Sequence, residues 1–442
     1  MSKVICVSKG PKHHFFGFHD LVAFNQSDDK LLSLEVDVIN RPPLPGEKAR
    51  VGYINLSNKE FIELGKTNAY NFPQGARQQW INDNLFIVNN QVGNVWGADI
   101  YDVSLGRKVS SLQSTCHSLS KDGQYAYGLN YARLYRLGGY GYVGLKDAFA
   151  SSTAPSDDGI YVTHVETGET KLLVSTRDVA LCGTSDHSML TFHHYLTHLY
   201  VSPNNQRIAF LHRFILPDGG LRTRLMTIGT DGSGLRCLAE GFLSHFSWKD
   251  ENTLFIYGRT NTKIDKLRSS SLLLRNPFLA LLARKAKHVL QRPLRRKLID
   301  YMSFILVKDE EEPMINKVAE GVITSDGHPM FSPTDDNLIV CDTYPDEEKC
   351  RDLFLYNFKL NKRFEIGRFR MSAEAVDMSL SDRFFLGMET SVLGKVISFA
   401  DLSFARSGLH CDLHPRWNHW GTKVAFDSIH EGTRQLYIYA LK

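Results

Sequence analysis

The chain has 442 residues, 43% of them hydrophobic and 23% charged, with a formal net charge of +4, the balance of an ordinary globular protein. It holds no run of about 18 apolar residues, so no membrane-spanning helix is expected. Seven scattered cysteines without CxxC spacing exclude a disulfide framework and a cysteine zinc site, and point to reduced thiols.

The N-terminus, Met-Ser-Lys-Val-Ile-Cys-Val-Ser, lacks the apolar core of a signal peptide, so a cytoplasmic location is expected. Val4–Ser8 reads as a lone β-strand. A pattern then recurs eight times: a polar residue, often His, a short apolar run, a Ser-Pro-Asn-type turn and a β-rich run. Weaker copies begin at His19, Gly75, His117 and Asp377; clear ones begin at His198, His245, His328 and His414. The unit at His198 shows the parse. Strand A is Leu199–Ser202, strand B Arg207–Leu211, strand C Arg224–Gly229 and strand D Leu235–Ala239, with turns at Pro203-Asn204-Asn205 and Asp231-Gly232-Ser233-Gly234. Four-stranded repeats of this length are propeller blades.

The expected fold is therefore all-β, one propeller domain over residues 1–442. Eight blades are expected, with seven as the alternative, since the unit at Asp377 is short. The last unit supplies strands Lys423–Asp427 and Gln435–Leu441 and lacks a fourth, which Val4–Ser8 is expected to provide, closing the ring. The long insertions, Arg41–Lys48, Arg133–Asp158, Thr176–Thr197 and Arg259–Tyr301, are all B–C or D–A connections. Propeller geometry puts them on one face, around the mouth of the axial channel. Long loops gathered on one face mark it as the functional one.

Within the insertion at 259–301, Lys263–Lys297 holds eleven Lys/Arg and one acid. It carries +10 of the total of +4, so the rest of the chain sums to −6. Phe278, Leu279, Leu281, Leu282, Val289 and Leu290 fall at near-helical spacing. A basic amphipathic helix of this kind suits an anionic membrane surface, which would make the protein peripheral to the inner membrane face. It equally suits a helical lid with solvated charges. No nucleic-acid-binding motif accompanies the charge.

His19, His117, His198, His245, His328 and His414 occupy the same place in their repeats and are expected to ring the channel mouth. Singly, each reads as a lock between neighbouring strands. Together they make a candidate metal or acid–base site. His14, His19, Asp20, Gln74, Arg77, Arg259 and Tyr142 are candidate substrate contacts; His198, Arg133 and Arg213 are candidate proton-transfer groups. Arginines beside aromatic residues suit an acidic sugar chain. Gly138–Gly144 is glycine-rich but lacks the strand–helix context of a nucleotide fingerprint.

At these residues the chain resembles a known family. His198-Leu-Tyr-Val-Ser-Pro-Asn and His328-Pro-Met-Phe-Ser-Pro-Thr resemble TolB-like propeller repeats. Leu243-Ser-His245-Phe-Ser-Trp248 and Asp412-Leu-His414-Pro-Arg-Trp417 are similar to histidine motifs of the oligogalacturonate lyases. The resemblance implies a divalent metal, typically manganese, which neutralises a uronate carboxylate while a base removes the C5 proton in a β-elimination. It implies His245 and His414 as metal ligands, His328 or His410 as further ligands, and His198 at the catalytic mouth. Three departures stand out. The lyases have seven blades, Asp412 stands where they carry a histidine, and Asp157–His164 shows no counterpart of their basic arginine. His13–Asp20, Arg41–Pro45 and Gly139–Tyr142 instead resemble uncharacterised TolB-like proteins associated with surface-polysaccharide synthesis. Two functions follow as expectations: a metal-assisted lyase of an acidic oligosaccharide, or a non-catalytic binding propeller held at the membrane by residues 263–297.

Overall fold

A computed structural model describes residues 4–216, 220–260, 302–389 and 398–441. Its strands form six antiparallel sheets, five of four strands and one of seven. The seven-stranded sheet is two units sharing one long strand, Arg236–Trp248, which is the outer strand of one unit and the inner strand of the next. The described residues thus hold seven four-stranded units. Unit 1 runs from His13–Phe15 to Glu60–Thr67 and unit 2 from Gln79–Trp80 to Arg107–Leu112. Unit 3 runs from Ser118–Leu119 to Thr170–Ser175 and unit 4 begins at His193–Val201. Unit 5 ends at Ile315–Val318, and unit 6 runs from Met330–Phe331 to Lys362–Arg370. Unit 7 holds Arg416–Trp417, Lys423–Ser428 and Gln435–Ala440, and Val4–Cys6 pairs with its last strand as its fourth member.

The unit expected at Asp377 is not found. Among the described residues no strand lies between Lys362–Arg370 and Arg416–Trp417, so the described sheets match the alternative of seven. Val376, Leu380 and Phe384 recur every four residues instead of alternating, and with Phe385 they pack with Leu44 in a small cluster of their own. The segment makes a strap. The Asp377 N–H donates to the Asn40 carbonyl (2.8 Å), the Glu389 N–H to that of Arg136 (2.8 Å) and the Gly408 N–H to that of Ile39 (2.7 Å). It leaves unit 6, touches the connections of units 1 and 3, and returns to unit 7. The segment ends in helix Phe399–Arg406.

Of the insertion expected at 259–301, Arg259 and Thr260 end the strand Thr253–Thr260; the remainder, including the basic run, lies outside the described residues. No described helix is long and apolar enough to cross a membrane.

Adjacent units share apolar layers. Phe255 and Phe304 of unit 5 stack at 4.3 Å, and Phe331 of unit 6 meets Phe255 edge-on at 5.8 Å. Three indole N–H groups tie unit to unit. Trp80 donates to the Ala23 carbonyl, Trp248 to Tyr200 and Trp417 to Met330, each at 2.9–3.0 Å. Each tryptophan stands three residues after the residue that faces the axis: Arg77, His245 or His414.

Candidate functional site

The repeat histidines do not begin strands. Strand His193–Val201 starts five residues before His198, and its pairing with Arg207–Ile215 shifts register between Thr197 and Tyr200. The next strand shifts between Leu243 and Phe246, around His245. A bulge bends the strand and re-aims one side chain. His198 and His414 take the left-handed backbone that such a kink requires, with φ of 58° and 43°. In unit 1 the protruding loop is Phe16–Asp20. There Gly17 has φ 125°, and a Cβ on it would lie 2.5 Å from the Gln74 backbone, so only glycine fits.

These kinks bring five histidines together around the Phe18 ring. Its centroid lies 4.4 Å from that of His19, 4.9 Å from His198, 5.0 Å from His414 and 6.0 Å from both His245 and His328. His328 is 4.2 Å from His245 and 4.3 Å from His414. His117 stands apart, its ring hydrogen-bonded to the Tyr131 hydroxyl at 2.7 Å.

One ligand atom from each of His328, Asp412 and His414 lies within 4.8 Å of the other two, and all three residues are buried. His328 Nδ1 donates to Asp342 Oδ1 (2.8 Å), which leaves Nε2 as its other ligand atom. Asp342 Oδ2 accepts the His414 backbone N–H (3.1 Å), so one carboxylate orients both neighbours. Both ring nitrogens of His414 lack a hydrogen-bond partner, although the residue is 1% exposed. Asp412 faces Arg351 at 2.7 Å and His410 at 3.5 Å. Burial disfavours the Asp412 carboxylate, but Arg351 and the surrounding imidazoles hold its pKa well below the usual range. Burial and the charge of His328 press His414 well below 6.5. His328 goes the other way: burial opposes its charge, but Asp342 outweighs it and raises the pKa. A buried carboxylate, one imidazole with both nitrogens unpartnered and a second imidazole backed by another carboxylate make a donor set that suits a divalent cation.

The other sequence candidates fall into three groups. His19, His198, His245 and Arg213 join the cluster. His19 Nδ1 donates to the Pro329 carbonyl (2.9 Å) and its Nε2 has no partner. His245 Nδ1 lies 3.1 Å from Ser244 Oγ and 3.3 Å from Asp326. His198 shares a hydrogen bond with Thr197 Oγ1 (2.9 Å), and the Arg213 charge helps burial depress its pKa. Arg213 Nε is buried without a partner. Gln74 and His410 stand at the border. The buried Gln74 carboxamide finds no partner on either atom, and His410 backs Asp412.

The remaining candidates are engaged elsewhere. Arg77 grips Asp20 with two bonds of 2.7 and 2.8 Å and also donates to the His117 carbonyl. His14 lies inside unit 1 beside Glu35, 3.4 Å away. Arg133 spends its donors on the carbonyls of His194, Ser152 and Thr153. Tyr142 is buried and stacked on Tyr131 at 4.2 Å. Arg259 lies over Phe242, 4.5 Å from the ring. The sequence ligand set omitted Asp412, although that residue was visible as the acid in a histidine's place. Phe18 lay within the His13–Asp20 stretch without a role of its own, because the histidines it meets come from distant units; Asp342 joins His328 of its own unit to His414 of the next, a link no local pattern records.

No protein-family model matches the chain, and no curated protein matches it in sequence. Solved structures do. The oligogalacturonate lyase of Vibrio parahaemolyticus superposes with a TM-score of 0.58 at 13% identity, covering 100% of this chain and 94% of that one. An oligogalacturonate lyase in complex with manganese gives 0.58 at 12% identity, covering 100% and 93%. TolB from Acinetobacter baumannii is a more distant likeness, with a TM-score of 0.36 at 11% identity, covering 76% and 63%. The two lyase superpositions establish the fold: a propeller like that of the oligogalacturonate lyases.

Proposed function

We propose that the chain binds a divalent cation at His328, Asp412 and His414 and acts on an acidic oligosaccharide at that site by β-elimination. The observation that carries this reading is the convergence of His328, Asp412 and His414 at one buried point, in a fold shared with a manganese-containing lyase. When bound, the cation neutralises a uronate carboxylate and so acidifies the neighbouring C5 proton.

The protein's own groups then have distinct tasks. Asp342 and Arg351 hold His328 and Asp412 in place. Phe18 and the buried imidazole ring exclude water, which strengthens every charge interaction inside. His198, kept neutral at working pH by burial and by Arg213, takes the C5 proton. The C–H electron pair becomes the C4–C5 double bond, the C4–O bond breaks, and the departing oxygen takes a proton from solvent. Arg213, with its unpartnered Nε, faces the charge that develops on the sugar.

The test is to strip the protein with a chelator, add Mn2+ and trigalacturonate, and follow the ultraviolet absorbance of the unsaturated product. Turnover is expected with Mn2+. It should fall at least a hundredfold in His198→Ala, and Mn2+ binding should be lost in His414→Ala. Tight trigalacturonate binding without turnover would leave a non-catalytic binding protein; absence of both Mn2+ and uronate binding would refute the proposal.

A further inference from the structure

Cys182 follows helix Thr176–Leu181 as its C-cap, and Cys237 is the second residue of strand Arg236–Trp248. Both are half-buried free thiols that pack against the same apolar cluster. The Cys182 thiol reaches the Leu235 carbonyl at 3.8 Å and accepts the Cys237 backbone N–H. One guanidinium serves both residues. Arg224, 4% exposed, donates from Nε to Cys237 Sγ (3.2 Å) and from Nη2 to the Cys182 carbonyl. Its Nη1 caps the same helix end at the Val179 carbonyl (3.1 Å). The Glu240 carboxylate meets this guanidinium only at 3.9 Å.

These are the parts a reactive thiol pair needs. The two sulfurs lie along one stretch of backbone, Leu235–Cys237, the closeness a disulfide requires. A fixed cation beside a thiol favours the thiolate, which is the form that reacts. Burial raises both thiols, and in each the charge of Arg224 is the first influence to oppose it. Partial exposure admits a small oxidant here, whereas Cys116, Cys341 and Cys411 are buried.

We infer that Cys182 and Cys237 are a redox pair that hydrogen peroxide closes to a disulfide. The Cys237 thiolate attacks a peroxide oxygen, becomes a sulfenic acid and releases hydroxide. The Cys182 thiolate then attacks that sulfur, forms the S–S bond and releases a second hydroxide. The two hydroxides take up the two protons the thiols gave up. Two thiols and one peroxide thus yield one disulfide and two waters. The loop that leaves Cys182 is exposed over residues 183–187 and runs into His193–Val201, the strand that carries His198. The disulfide pins that loop to the outer strand of unit 4, and so couples oxidation to the approach to the histidine cluster. Neither the cation nor the sugar enters this step.

The reduced full chain, treated with hydrogen peroxide and quenched with N-ethylmaleimide, is digested without reductant and mapped by mass spectrometry. A peptide linking Cys182 to Cys237 should appear, lighter by two hydrogens than its parts and released by dithiothreitol. Its yield should fall roughly tenfold in urea, where the fold no longer holds the two thiols together. In Cys182→Ser the sulfenic acid on Cys237 has no second thiol to meet, so dimedone should trap it there. Hydrogen exchange at the amides of residues 183–187 should slow roughly tenfold in the oxidised protein. An unreactive Cys237 in Cys182→Ser, preferential linkage of either cysteine to a different thiol, or equal yield from folded and unfolded chain would overturn the inference. Linkage with unchanged exchange would overturn the coupling to the loop.

Discussion

Asp342 illustrates how much a single side chain decides. It accepts from His328 Nδ1 and its backbone N–H, and from the His414 backbone N–H, so it sets two of the three candidate ligands. Asp342→Asn keeps the shape but swaps an acceptor for a donor, and Mn2+ affinity measured by calorimetry should fall roughly 10–100-fold. A second prediction concerns pH. His194 Nδ1 lies 2.8 Å from His212 Nε2, and burial lowers the His194 pKa to about 4. The unfolded chain takes up a proton on this residue below about pH 6.5, whereas the folded protein resists until about 4. Stability is therefore fully present above pH 6.5 and is lost as pH falls toward 4, by up to about 3 kcal/mol from His194 alone. Urea midpoints at pH 7.5 and 5 should show this drop, and it should shrink in His194→Gln. At this scale the sequence was only half legible. The repeat position told which histidines face the axis. It could not tell that His117 would turn to Tyr131, that Arg77 would be consumed by Asp20, or that Asp412 would join the candidate ligands.

Among elements, the motif's tryptophan does the joining that strand-A histidines were thought to share. Trp248→Phe removes the indole bond to the Tyr200 carbonyl and should cost about 1–2 kcal/mol, read as a lowered denaturant midpoint. Trp417→Ala, at a site with 0% exposure, should cost on the order of 3–5 kcal/mol. The motif His-x-x-Trp is thus legible as one device: the first residue faces the axis and the fourth ties back to the preceding unit. The strap was not legible. Its Asp377 turn imitates a repeat start, but its apolar residues have their partner in Leu44, more than three hundred positions upstream. Local periodicity carries no record of such a contact.

For the molecule as a whole, repetition made the architecture readable from the chain, down to the pairing of the first strand with the last. The described sheets match the seven-unit alternative rather than the eight units first expected. Removing residues 1–8 should strip the edge of Gln435–Ala440 and uncover the site of Val7, which is 6% exposed. A loss of about 3 kcal/mol is expected from that burial and its hydrogen bonds, seen as a lower melting temperature that a synthetic peptide of residues 1–9 partly restores.

The same closure sets a timetable. Ser8 hydrogen-bonds Gln435, 427 residues later. At ribosomal speed the first strand waits roughly 20–90 s for its partner to be made. Throughout that interval the nascent chain trails an unmated edge, and a truncated product keeps it permanently. Premature termination anywhere before Gln435 should therefore yield aggregates or chaperone clients rather than a shorter working protein.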